Sequence, residues 1–313
     1  MERRVCPVTT ERMRKMLRRD FLNGVVDIHI HAGPSVANRK VDALEMLRQA
    51  EEAGYAGFLV KDHYVPSTHG CLMVEKHFST GCRVFSSVAM NNSMGGFNLN
   101  ALDAAYNMGA KIAYMPTVSS KLHIDGHKGK SFHGSGAMTA EETPIYYLDG
   151  DGKLIPEVLD VLDYMAAHPD FVLATGHGSP AEIDVLIDEA FARGVKKIVV
   201  NHPHFSINAS EEQVVRWARA GAFIEITAME HGMVLEDRDD LFNSIDLVKR
   251  VMDSGIPAER IVISSDFGQA VSPYPVEGMY KFLDLLYSTV GIDEDTLTIM
   301  VKDNPARLMG MKD

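Results

Sequence analysis

Two histidines two residues apart, His29 and His31, close the apolar run Val25-Val26-Asp27-Ile28-His29-Ile30-His31, and Ala32-Gly33-Pro34 follows. The run is rich in β-branched residues and reads as a short strand that Gly33-Pro34 ends. Side chains at i and i+2 of a strand leave the same face, so both imidazoles can grip one cation from one direction. An isolated His-x-His is more often a pair of ordinary, partly buried histidines. Here further groups of ligating type end runs of the same kind: His177 in Leu173-Ala174-Thr175-Gly176-His177, His202 in Val199-Val200-Asn201-His202 and Asp266 in Ile263-Ser264-Ser265-Asp266. His204, two positions past His202, is the alternative to it.

The elements that must position these groups repeat along the chain. Eight apolar runs are expected as strands: Val25–His31, Gly57–His63, Arg83–Asn91, Lys111–Thr117, Phe171–His177, Lys197–Pro203, Ala222–Ala228 and Arg260–Asp266. Between them, Ala43–Ala53, Asn98–Met108, Pro156–Ala167, Pro180–Arg193, Glu211–Ala220 and Asp239–Ser254 have helical spacing, several stopping at a glycine such as Gly54, Gly194 or Gly221. Near-continuous apolar strands alternating with helices imply parallel strands buried on both faces. Eight of them predict an α/β fold closed into a (β/α)8 TIM barrel, whose sites lie at the C-terminal strand ends. An open doubly wound sheet would gather a ligand at one switch point and not at several strand ends.

The expected organisation is an N-terminal helical segment over residues 1–24, with a helix at about Thr9–Leu22, and the barrel over 25–313. An insertion at about 118–155 follows the fourth strand. Its second part reads as a hairpin turning at Asp149–Gly152. Its first part, Ser119–Gly136, carries His123, His127 and His133 among glycines and reads as a flexible, locally basic loop over the site, suited to anionic substrates. His63, His204 and His231 are further candidates for lining a substrate pocket. Asn91-Asn92 is a candidate hydrogen-bonding pair at the end of the third strand.

Taken together, His29-x-His31, His177, His202 and Asp266 resemble the amidohydrolase superfamily, which places His-x-His on the first strand, single histidines on the fifth and sixth and an aspartate on the eighth. Asp303-Asn-Pro-Ala-Arg-Leu-Met-Gly310 is similar to that family's C-terminal helix start. The resemblance spans about Val25 to Gly310 and implies a metal-dependent hydrolase of an amide, cyclic amide or ester bond, with Asp266 as ligand and proton carrier. Imidazoles and a carboxylate suit Zn2+ first, with Mn2+, Fe2+ or Ni2+ as alternatives. Many relatives carry a bridging lysine or a glutamate on the fourth strand, but Lys111-Ile-Ala-Tyr-Met-Pro-Thr117 ends with neither. One ion or two therefore stays open. Lys61, which shares a strand face with His63, is the candidate carboxylated bridge, unless it merely pairs with a carboxylate such as Glu225. A metal-dependent decarboxylase or other lyase, and a phosphoesterase, are the alternative activities; a non-catalytic binding protein is disfavoured by the full ligand set.

Composition sets the remaining bounds. With 46% hydrophobic and 24% charged residues the chain can bury a large core, and a net charge of −12 argues against a nucleic-acid surface. Three cysteines without a C-x-x-C pair suit free thiols, and no long apolar run suggests a membrane span, so a cytoplasmic protein is expected. A small-molecule substrate is the expected partner, and a homo-oligomer is left open.

Overall fold

The computed structural model describes residues 15–128, 136–204, 207–229 and 244–312. Eight parallel strands follow chain order around one sheet: β1 (Val26–Ile30), β2 (Gly57–Val60), β3 (Arg83–Ala89), β4 (Ile112–Tyr114), β5 (Val172–Ala174), β6 (Ile198–Val200), β7 (Phe223–Thr227) and β8 (Ile261–Ser264). Helices α1 (Ala43–Glu52), α2 (Thr68–Phe78), α3 (Leu99–Asn107), α5 (Pro156–Ala167), α6 (Pro180–Arg193), α7 (Glu211–Ala220), α8 (Ser244–Asp253) and α9 (Pro275–Leu285) alternate with them, and α4 (Lys121–Gly126) stands in the insertion. The short α10 (Glu294–Thr298) and α11 (Asn304–Leu308) complete the described helices. This is the expected (β/α)8 barrel.

The sheet closes where the chemistry-bearing runs meet. Past the end of β8, Asp266 N donates to His29 O at 2.8 Å and His31 N donates to Phe267 O at 2.8 Å. Asp27 adds a side-chain clasp, its Oδ1 accepting from Ser265 N at 3.0 Å and His29 N at 3.2 Å. A Cβ on Gly268, whose φ is +102°, would come within 1.9 Å of the His31 carbonyl oxygen, so only glycine lets the two strand ends approach this closely.

Two apolar layers hold the frame. Inside the barrel, Val26, Ile28, Leu59, Phe85, Ile112, Val172, Val199 and Val262 pack together with Ala306, Leu308 and Met309 of the C-terminal segment. Asn304 anchors that segment by donating to Ala258 O and Ile261 O, both at 2.8 Å, which gives the Asn-Pro-Ala-Arg motif its physical task. Outside, the alternate strand residues meet the buried helix faces, among them Met46, Leu47, Leu162, Ile183, Leu186, Trp217, Val248 and Met279. Helix starts follow the residues expected to cap them: Ser179 with Glu182 and Ser210 with Gln213 form capping boxes on α6 and α7.

The structure departs from the sequence expectations in three places. The strands are shorter than the apolar runs, so His31, His177, His202 and Asp266 stand on the loops just beyond their strands. Of the N-terminal helix expected at Thr9–Leu22, the described part holds only a 3₁₀ turn at Arg19–Leu22. There Arg19 pairs with Glu277 and Leu17 is buried, its N–H donating to Asp284 Oδ1 at 2.8 Å, so packing on α9 replaces helix formation. Within Ser119–Gly136, Lys121–Gly126 is helical and not a flexible loop, because Ser120 caps the turn by accepting from His123 N at 3.2 Å. The expected turn at Asp149–Gly152 is present, flanked by an antiparallel bridge between Leu148 and Leu154.

Gly268→Ala is expected to lower the thermal midpoint of the protein, by a destabilisation on the order of 3 kcal/mol, because both the left-handed backbone and the His31 carbonyl oppose a methyl group. An unchanged midpoint would show that the two strand ends do not close as described.

Candidate metal centre

His29 follows Ile28 of the barrel interior; the β1 register against β2 shifts between Asp27 and Ile30, and this irregularity, not simple alternation, lets His29 also turn inward, where it is completely buried. Its Nδ1 lies 3.0 Å from Glu225 Oε1 on β7. Glu225 in turn accepts from Ser264 Oγ at 2.7 Å and from Asn201 Nδ2 at 2.7 Å, so strands β6, β7 and β8 all hold the carboxylate behind one imidazole. With Nδ1 so engaged, Nε2 is the nitrogen turned to the site. It lies 3.1 Å from Asp266 Oδ1, and His31 Nε2 lies 2.9 Å from the same oxygen. Ligating atoms of His29, His31 and Asp266 all fall within 4.8 Å of one another.

The remaining expected histidines extend this group. The His202 ring is 5.8 Å from that of His29 and 5.0 Å from that of His177. His63 packs 4.9 Å from His31 and 6.2 Å from His177, with Nδ1 2.9 Å from Thr117 Oγ1. Ring contacts thus place His202 in the cluster, and His204 is buried as well. From the insertion, α4 turns His123 inward, its Nδ1 3.2 Å from His177 Nδ1 and its ring stacked on His127 at 4.1 Å. His133 and His231 lie outside the described residues. The basic character expected of the insertion is partly cancelled, because Lys121 pairs with Asp125.

Lys61 follows β2 and is 1% exposed, with its Nζ 3.0 Å from His29 Nε2 and 4.7 Å from the centre of the Tyr114 ring. Its hydrogen-bonded neighbour is the histidine, and Glu225 is taken by His29, Asn201 and Ser264. Tyr114 ends β4, its ring 5.8 Å from that of His29.

Electrostatics prepare the group for a cation. Burial, reinforced by neighbouring cations, pushes the imidazolium form of His31 and His123 down to about 3 and that of His202 to about 4, and His63 and His177 fall well below the ordinary value. Neutral imidazole is the form that ligates a metal. Burial opposes charge on His29 too, but Asp266 and Glu225 outweigh it and raise His29 to about 9. Burial likewise disfavours the ionised carboxylates, yet His29 holds Glu225 at about 2 and keeps Asp266 well below the usual range. His177 Nε2 is a buried polar atom with no hydrogen-bond partner among the described residues. Such atoms carry a desolvation cost that a bound ion or ligand would relieve. The donor set of imidazoles and one carboxylate therefore fits a divalent transition metal.

The five candidate groups named from the sequence stand near one another at this end of the barrel, and other residues were left undecided. Strand parity could not say which way Glu225 points; Ile224 and Ile226 on the outer face settle it inward. Asn91 is a structural latch and not a substrate contact: its Nδ2 donates to His63 O and Thr117 Oγ1, and its Oδ1 accepts from Thr117 N and Ser119 N. Asp266 has φ +53°, a left-handed backbone that asparagine and aspartate tolerate best and that no spacing rule reveals. A cleft of about 650 Å3 lined by Arg19, Asn23, Gln49, Glu52 and Glu277 lies at the opposite, N-terminal end of the strands, away from these groups.

This geometry has counterparts in known proteins. Residues 24–225 match the model of a family described as Family of unknown function (DUF6282), and the chain belongs to that family. No curated protein matches. Among solved structures, a candidate 2-pyrone-4,6-dicarboxylic acid hydrolase from Pseudomonas putida superposes with a TM-score of 0.56 at 11% identity, over 93% of this chain and 98% of that one. An amidohydrolase from Pseudomonas aeruginosa gives 0.56 at 12% identity over 93% and 97%, and the ochratoxinase of A. niger gives 0.53 at 13% over 92% and 71%. At these identities the shared property is the fold, the barrel of amidohydrolase-type proteins.

Glu225→Gln is expected to weaken binding of a divalent metal by about 10–100-fold, as is typical when the carboxylate behind a ligating histidine is neutralised. Competition with a metal-sensitive dye reads this directly. Equal affinities in variant and parent would remove Glu225 from the account.

Proposed function

We propose that this chain is a metal-dependent hydrolase of the amidohydrolase type, acting on an amide, cyclic amide or ester bond of a small, anionic molecule. The observation that carries the reading is the convergence of His29 Nε2, His31 Nε2 and Asp266 at the C-terminal end of the barrel, with Glu225 behind His29. In this reading His29, His31, His177, His202 and Asp266 would hold one divalent ion, Zn2+ first, with Lys61 the candidate bridge to a second. The barrel it shares with hydrolases such as the amidohydrolase of Pseudomonas aeruginosa supports the same class by analogy of fold.

A divalent ion held there supplies Lewis acidity toward the scissile carbonyl and a water acidic enough to react near neutral pH. The chain supplies the rest. Glu225 fixes the orientation of His29 and keeps its Nε2 turned inward. Asp266, ionised and 8% exposed, is placed to accept the proton that the attacking water loses and to return it to the leaving nitrogen or oxygen. Lys61 and its neighbour His63 line the same wall and place positive charge and a hydrogen-bonding group beside the carbonyl. His123 holds the ring of His177 through Nδ1, which leaves His177 Nε2 turned away from that contact.

Asp266→Asn is expected to leave the fold intact while lowering turnover by about 10²–10⁴-fold, the usual loss when general acid–base help is removed. The assay is a panel of lactams, lactones, N-acyl amino acids and phosphate esters with Zn2+ or Mn2+, including carboxylic acids monitored for CO2 release. Turnover of a panel member by the variant at the parent rate would show that another group moves the proton. Release of CO2 in place of hydrolysis would transfer the site to decarboxylation.

A further inference from the structure

Arg39 has no role in the reading above, yet it is built into the same wall. It lies on the segment between β1 and α1, which is tied to the β8 end by a bridge between Arg39 and Gln269 and by Lys40 N donating to Gly268 O at 2.8 Å. Its side chain is only 2% exposed. One end of the guanidinium is fixed, since Nη1 donates to Gln269 Oε1. The other edge is not. Nη2 stands 3.6 Å from Asp62 Oδ2, too far for a hydrogen bond, and neither Nε nor Nη2 has a hydrogen-bond partner among the described residues. Asp62 meanwhile spends its Oδ1 on Tyr64 N at 2.8 Å and Val65 N at 3.2 Å.

The unmade bonds are those of one edge. Nε–H and the adjacent Nη2–H run parallel in the guanidinium plane and form the side-on fork that receives both oxygens of a carboxylate. A buried arginine with this fork open is costly unless a ligand completes it. Its position also matters. The three chain segments that meet at Arg39 carry His31, Lys61 with Asp62, and Asp266 with Gln269, so Arg39 is held among the same segments as the metal group.

We propose that Arg39 is a specificity-determining anchor for a carboxylate of the substrate, binding it side-on through Nε and Nη2 while the adjacent metal group takes the scissile bond. Asp62 Oδ2 forms an ion pair with Nη2 at 3.6 Å but does not hydrogen-bond to the fork. This deepens and rests on the hydrolase reading, because it names what the anionic end of the substrate binds. The substrate class is then a small molecule with a free carboxylate within a few bonds of its amide or ester.

The test titrates the purified protein with glutarate and benzoate, with glutaramide and benzamide as neutral controls and inorganic phosphate as a competing oxyanion, by calorimetry. Metal content and melting temperature are measured on every sample. The expected result is that the carboxylates bind and the amides do not, that Arg39→Met lowers carboxylate affinity at least about tenfold with metal content unchanged, and that Arg39→Lys, which keeps the charge and loses the fork, falls between. Phosphate binding more tightly than either carboxylate would overturn the assignment to a carboxylate. So would carboxylates that bind Arg39→Met as well as the parent, or that fail to bind the parent. If both variants lose carboxylate affinity only in proportion to metal lost or to a fall in melting temperature, Arg39 is a structural partner of Asp62 and the inference falls. Absence of metal from the parent would count against the hydrolase reading alone, since the titration is repeated on metal-free protein and still reads the Arg39 fork.

Discussion

Everything at the candidate centre depends on one closure, the meeting of the β1 and β8 ends. Backbone bonds from Asp266 N to His29 O and from His31 N to Phe267 O close the barrel there, and the same residues carry the ligating side chains. Fold and site are therefore one construction. Asp27 reinforces it with bonds to the His29 and Ser265 backbones, and Gly268 permits the approach. A barrel closed by bonds between candidate ligands holds three of them in fixed relation without any help from the metal, which is the preorganisation that a catalytic centre requires.

The cost of this arrangement is a set of buried charges. Lys61, Asp27, Glu225 and Asp266 are all nearly or fully removed from water. Two features offset it. Glu225 is satisfied by three donors from different strands, so its charge is fully hydrogen-bonded where it stands. Asp266 is shared between two imidazoles, one of which becomes positive to match it. The five neutral histidines around them hold lone pairs with no proton to give up at neutral pH. A cation would replace the proton on His29, so proton and metal compete for the same place.

Much of this was legible in the chain because it follows simple periodicities. Parallel strands buried on both faces write themselves as apolar runs, helix stops as glycines, and candidate ligands as polar residues where a run ends; His29, His31, His177, His202 and Asp266 stand out as candidates in this way. What could not be read depended on geometry that periodicity leaves open. Glu225 sits mid-strand, and its direction turns on which neighbours face the helices. Arg39 lies in a stretch without regular structure, eight residues past His31, and nothing in Val36-Ala37-Asn38-Arg39 signals that the chain folds back against Gln269. The helix at Lys121–Gly126 was hidden among glycines; the Ser120 cap and the buried His123 against His177 show why it forms there.

The central claim is that these side chains hold a metal ion. It is tested most directly by X-ray anomalous scattering from crystals of the protein, measured on both sides of the absorption edges of zinc, manganese, iron and nickel. The account predicts a peak bounded by His29 Nε2, His31 Nε2 and Asp266, on the side of His29 away from Glu225, with His177 and His202 facing it. A second peak reaching Lys61 would identify that residue as a bridge. Crystals grown with each of these metals in excess, showing no anomalous peak among these residues, would contradict the account.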